Sequence, residues 1–488
     1  MANIWVKKDI NLLMQEASGD EKGLKRSIGP LGLMALGIGA IIGAGLFTST
    51  PEAVANNTGP AVTISFIIAG IACVLAGLCY AEFASMIPIA GSAYTYSYAT
   101  MGEFIAWIIG WDLVLEYGVA SAKVATAWSE YFNKLLHNIF GFSIPYPWCH
   151  SPFQSSPEGV SGIMNAPALC IVVLLSLVLM RGVKGSSLLN SVIVVVKVSI
   201  VLLFIGFGWS FIHPANYTPY LPPNTTHVSG EFGWTGLLAG AGVVFFAFIG
   251  FDAVSTAAQE AKNPQRDMPK GILLSLLICV VLYILFAHVL TGVANYKEFK
   301  SVGREASVTY VIDTYMKGYE WLSVLVTVAI LAGFSSVILV MLMGQSRVFF
   351  SMSKDGLVPP VFSQLHPRFR TPWKSNRIFL VFVGLIAAFV PATVISEMTV
   401  IGTLFAFVLV CLGIIILRKT DPAIERPFRT PWVPVVPVLG IIVCVTMMYI
   451  LGAANWLRLI IWLIIGVVIY FRYGIKNSRL QKAIRNKP

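Results

Sequence analysis

The stretch "LGLMALGIGAIIGAGLF", Leu31 to Phe47, is almost wholly apolar, yet Gly37, Gly39, Gly43 and Gly45 crowd its centre. An apolar run of roughly 20 residues is what a helix needs to cross a hydrocarbon layer about 30 Å thick. Glycine weakens a helix, and in lipid no water rescues an opened backbone. The run therefore predicts a membrane-spanning helix with a deliberate break.

Similar runs recur along the chain. Of its 488 residues 57% are hydrophobic and 12% charged, and the mean hydropathy is +0.78. Twelve membrane-spanning segments are predicted, at about 31–50, 60–86, 102–125, 163–180, 188–212, 234–258, 270–294, 320–350, 376–391, 396–417, 432–452 and 455–473; they are numbered 1 to 12 below. Helices satisfy every backbone amide within one segment, so the expected fold class is all-α and integral to the membrane.

The net charge is +11, but its distribution argues for orientation rather than for a polyanionic partner. With the amino terminus inside, the inner loops carry Lys22, Lys25 and Arg26, Lys262 to Lys270, Arg368, Arg370 and Arg377, Arg418 to Arg429 and the tail from Arg472 to Lys487. The outer loops carry only Lys134, Lys297, Lys300, Arg304, Lys317 and Arg458. This positive-inside bias predicts a multi-pass plasma-membrane protein with both termini cytoplasmic, and it leaves no role for nucleic acid. Residues 1–29 lack the apolar core of a signal peptide, so segment 1 itself is expected to direct insertion. The seven cysteines are scattered without metal spacing and read as small buried residues.

Segments 1–5 (31–212) and 6–10 (234–417) have odd counts, so a second unit of the same fold enters the membrane inverted. Segments 11–12 (432–473) stand outside this five-plus-five repeat, and the whole chain, 1–488, forms one membrane domain. Inverted repeats place the substrate mid-membrane, where interrupted first helices of the two halves meet. Segment 6 supplies its own interruption at Gly250, followed by the charged Asp252.

An opened helix exposes unpaired amides on one side and carbonyls on the other. The amides near Ala44 and Gly45 suit a carboxylate at the positive end of a helix dipole. The carbonyls of Ile41, Phe246, Ala247 and Ile249 suit an ammonium group. Both features together fit an α-amino acid. Gly39 and Gly43 also spell GxxxG, a helix-packing face, but four clustered glycines exceed what packing needs. A dinucleotide loop is excluded because no strand precedes it.

Four ionisable residues lie deep in segments: Asp112 and Glu116 in segment 3, Lys197 in segment 5 and Asp252 in segment 6. Such groups are costly in lipid and usually functional. Lys197, removed from water, suits proton exchange near neutral pH with Glu116 as its partner in proton coupling; the other reading is a static ion pair between the two. Asp112 reads as solvated or structural. Asp252 suits either a gate or the N-cap of the inner half of segment 6. Lys123 and Arg347 lie near segment ends, where they can snorkel. No metal site or cofactor is indicated, protons being the coupling ion. An intramembrane enzyme lacks its nucleophile–base pair, and a channel suits broken helices less well than alternating access does.

The motifs "GIGAIIGAGLF" (37–47), "FFAFIGFDAVSTAAQE" (245–260) and "NPQRDMPKGI" (263–272) resemble the amino acid-polyamine-organocation permeases, and more narrowly the cationic amino acid transporters with their bacterial relatives. The resemblance runs from about residue 24 to 473. It implies the five-plus-five fold with discontinuous helices 1 and 6. It also implies carboxylate binding at the amides of Gly43, Ala44 and Gly45, and ammonium binding at the carbonyls of Ile41, Phe246, Ala247 and Ile249. Phe246 would be an outer gate, and Lys197 would fill the place of a sodium ion in related carriers.

In segment 8, Ser335, Ser336 and Met341 are expected to line the distal pocket. Its small and apolar character favours neutral amino acids such as alanine, with cationic ones also open. An exchanger or a polyamine permease of the same fold is the alternative, though a polyamine lacks the carboxylate. The expected working unit is a monomer in membrane lipid, with room for a small accessory subunit.

Overall fold

A computed structural model describes residues 3–9, 13, 28–89, 91–181, 186–302, 308–369 and 371–485. Lys22, Lys25, Arg26, Arg304, Arg370 and Lys487 lie outside them. Each of the twelve predicted segments is helical, and no strand occurs among the described residues. By length and composition, eight helical runs among the described residues suffice to cross a membrane, the run Pro30–Met86 containing both segment 1 and segment 2. Ala166–Arg181 and Val435–Ile450 are shorter apolar helices.

The helices pair in a regular way. Segment 2 (Val62–Met86) packs on segment 7 (Pro264–Val293), segment 3 (Glu103–Phe140) on segment 8 (Glu320–Lys354), and segment 4 (Ala166–Arg181) on segment 9 (Trp373–Phe389). Segments 1 and 6 meet at their breaks. In four of the five possible pairs, helices five apart in order are thus neighbours. Small residues let segments 2 and 7 approach closely: the Cα of Gly70 lies against Val280, and that of Gly77 against Leu276.

Elsewhere the apolar surface faces outward, as lipid requires. Segment 12 (Ala453–Ile469) exposes Leu457, Ile460, Ile461, Ile464, Ile465 and Val468. A polar clamp holds one end of the bundle. Glu82, wholly buried, receives two 2.9 Å hydrogen bonds from Arg418 and one of 2.7 Å from the amide of Thr430. This ties segment 2 to segment 10 (Ala392–Thr420) and to the proline-rich entry of segment 11.

Candidate substrate site at two broken helices

Segment 1 is helical from Pro30 to Ile41 and then stops. Ile42 is extended, with ψ 95°, and the chain resumes at Ala44 into a wide turn over Gly45–Ser49. Segment 6 runs as helix from Gly233 to Phe245 and tightens over Phe246–Phe248. It opens at Ile249, where ψ is 133°, passes through Gly250 at φ +113° and resumes as a tight helical turn over Asp252–Glu260. That positive φ is a conformation glycine adopts freely and other residues rarely do.

Opening segment 1 strands carbonyls that would cost several kcal/mol each if left bare in lipid. Two side chains from other helices take them up. The Lys197 ε-amine donates to the carbonyls of Gly39 and Ile42, both at 2.9 Å. The Tyr283 hydroxyl, from segment 7, lies 2.9 Å from the carbonyl of Ile41 and 3.0 Å from that of Ala247. A tyrosine has one O–H proton, so this donor is shared between the two breaks.

The breaks also touch directly. A Cβ placed on Gly45 would collide with the main chain of Ala247, and one on Gly250 would lie 2.7 Å from Cε of Met341 and 3.0 Å from the carbonyl oxygen of Ala40. Ile41, Gly43, Ala44, Gly45, Phe246, Ala247, Ile249 and Met341 are all brought together and buried. Among the described residues, the amides of Gly43, Ala44 and Gly45 take no partner outside the helix they open. Behind segment 6, Phe245 and Phe251 pack on Phe407 of segment 10, at centroid distances of 5.7 and 5.0 Å. Ser335 turns its hydroxyl back to Leu331 of its own helix, 2.9 Å away.

The charges are arranged differently from the sequence expectation. Glu116 is not the partner of Lys197, whose amine is held by main-chain carbonyls instead. The reason is local. Segment 3 widens into a π turn over Val114–Val119, which breaks the four-residue register between Asp112 and Glu116. Glu116 then lies near Asp252, while Asp112 faces segment 10 at Gly402. Asp112 and Glu116 are completely buried, without a hydrogen-bond partner on either carboxyl oxygen among the described residues, so Asp112 is not solvated.

Asp252 caps no helix, because the turn it opens has Phe251 at its N-cap. It accepts a hydrogen bond from Tyr117. Lys123 is buried, and Arg347 pairs with Glu260.

Sequence reasoning missed Tyr283, a lone tyrosine in "VVLYILF". The available signal was that a buried tyrosine hydroxyl usually needs a partner. It also missed Gly333 and Val337, which read as ordinary lipid-segment residues.

An all-helical membrane protein with two opened helices meeting at its centre defines a carrier rather than an enzyme. A model of the amino acid permease family matches residues 28–470, and the chain belongs to that family. It is 42% identical to the branched-chain amino acid permease BcaP of Bacillus subtilis, over 98% of this chain and 99% of that protein. It is 41% identical to the methylthioribose transporter of the same organism, over 99% and 100%. It is 35% identical to the vacuolar cationic amino acid transporter 4 of Arabidopsis thaliana, over 82% of this chain and 64% of that protein.

Proposed function

We propose that this permease imports neutral L-amino acids, branched-chain ones foremost, together with protons by alternating access. The observation that carries the reading is the sharing of one Tyr283 hydroxyl between the carbonyls of Ile41 and Ala247. Both carbonyls accept from a single donor, so an ammonium with three N–H groups is a better partner for the pair. The substrate carboxylate would take the amides of Gly43, Ala44 and Gly45, with Gly45 and Ala247 moving apart to admit it.

Pairing of segments 1 with 6, 2 with 7, 3 with 8 and 4 with 9 supports an inverted repeat, because a pseudo-two-fold axis brings corresponding helices together. The apolar and aromatic surroundings, Met341 and Phe246 among them, favour an aliphatic side chain over a cationic one. Similarity to BcaP supports the same choice. Lys197, tied to the segment 1 break, is the proposed proton carrier, and Phe246 and Asp252 are the proposed gates. In this reading both termini are cytoplasmic and the monomer is the working unit.

Purified protein in liposomes given an inward proton gradient should accumulate labelled leucine, and Lys197→Met should abolish accumulation while leucine still binds. Equal uptake with and without the gradient would refute coupling.

The resemblance to a methylthioribose transporter supports a second reading, uptake of a neutral thiosugar. Such a ligand has neither ammonium nor carboxylate for the two breaks. Competition separates the readings: excess methylthioribose should leave leucine uptake unchanged, and excess valine should suppress it.

A further inference from the structure

Segment 8 places residues 333, 337 and 341 on one face, each a little over one turn from the last. Each meets a different part of the site. Met341 lies against Gly250, Val337 against Gly43, and the backbone at Gly333 against the side chain of Lys197. A Cβ at Gly333 would lie 2.7 Å from Cε of Lys197 and 3.3 Å from both Cδ and Cγ.

We propose that Gly333 is a positioning residue for Lys197, and that the missing side chain lets the amine reach the segment 1 break. The inference rests on the reading of Lys197 as the proton carrier. The amine is held from one side by the carbonyls of Gly39 and Ile42, each at 2.9 Å. From the other side the hydrocarbon stem lies on the bare segment 8 backbone. Ile42, Phe47, Ile200, Ala329, Ile330 and Phe334 line the space beside it, and their side chains offer no polar alternative to the ammonium.

A methyl group at 333 would push the stem back by several tenths of an ångström and lengthen both hydrogen bonds. Segment 8 therefore sets, by steric fit alone, whether Lys197 grips segment 1. A shift of segment 8 during transport would release or restore that grip.

The test is a double-mutant cycle in full-length protein, reading both gradient-driven leucine uptake and melting temperature. Gly333→Ala should lower uptake at least tenfold with leucine affinity kept within about threefold. Gly206→Ala, on the Lys197 helix with open space around its Cα, should stay within twofold of wild type. On a Lys197→Met background, Gly333→Ala should cause no further loss of uptake, and its effect on melting temperature should shrink by at least half. An untethered methionine can move aside, whereas a lysine bound to two carbonyls cannot.

Uptake by Gly333→Ala within twofold of wild type, or equal melting losses on both backgrounds, would overturn the proposal. If Lys197→Met itself leaves gradient-driven accumulation intact, the coupling reading fails. Non-additive melting temperatures would still establish that Gly333 positions the amine.

Discussion

The hydroxyl oxygen of Tyr283 lies 2.9 Å from the carbonyl oxygen of Ile41, at the point where the first broken helix stops. Because the same hydroxyl also reaches Ala247, at 3.0 Å, one side chain of segment 7 joins the two discontinuous helices. Tyr283→Phe removes the donor and leaves both carbonyls buried, at a cost of about 1–3 kcal/mol for each group left unsatisfied. The unliganded variant should melt at a lower temperature. Leucine should stabilise it by more than it stabilises wild type, since the ammonium restores the missing donors. Thermal melts with and without leucine check this, and an equal or smaller ligand effect in the variant would count against ammonium binding at these carbonyls.

The contact of Gly45 with the main chain of Ala247 predicts an ordering of glycine substitutions. Gly45→Ala forces two backbones apart, and overpacking of this kind costs about 1–3 kcal/mol. Gly43→Ala meets only the side chain of Val337, at 3.0 Å from the new Cβ, which can give way. Gly45→Ala should therefore lose most uptake and most stability, and Gly43→Ala much less. Equal effects in paired uptake and melting measurements would contradict the arrangement.

Glu82 is buried and holds Arg418 through two 2.9 Å bonds. Glu82→Ala strands this arginine and the nearly buried Arg426, whose Nε stands 3.3 Å from the carboxylate. Removing one partner of a buried ion pair costs about 3–5 kcal/mol. Arg418 keeps some solvent access, which places the expected loss at the lower end. A denaturation midpoint in detergent unchanged from wild type would show the clamp to be dispensable.

At the amino terminus, Lys8 donates to Asp355 across 2.9 Å, and the neighbouring chain pairs with the amides of Glu103 and Phe104 through the carbonyls of Val6 and Ile4. Asp355 also accepts from Tyr94, at 2.7 Å. Lys8→Ala should speed hydrogen exchange at Glu103 and Phe104 and leave exchange in segment 7 unchanged. Protection identical to wild type at those two amides would show that the ion pair does not fasten the amino-terminal segment.

Much of the site was legible in the chain. Glycine at positions 37, 39, 43 and 45, and again at 250, marked both breaks, because an apolar run has no other reason to concentrate helix-weakening residues at its centre. Apolar runs of roughly 20 residues marked the segments. The partner of Lys197 was not legible, because it is a pair of main-chain carbonyls, and every residue carries a carbonyl whatever its side chain. Nor was the neighbourhood of Glu116, since the π turn at Val114–Val119 rotates the register by an amount that no residue spacing reveals.

By itself the sequence determined that this protein is an all-helical membrane carrier with two interrupted helices, since those properties follow from local composition and the cost of bare amides in lipid. Only the tertiary structure decided which side chains take up the freed carbonyls. Tyr283, Lys197 and Gly333 come from three different helices, and their meeting depends on how those helices cross, a long-range outcome of packing that no single segment encodes.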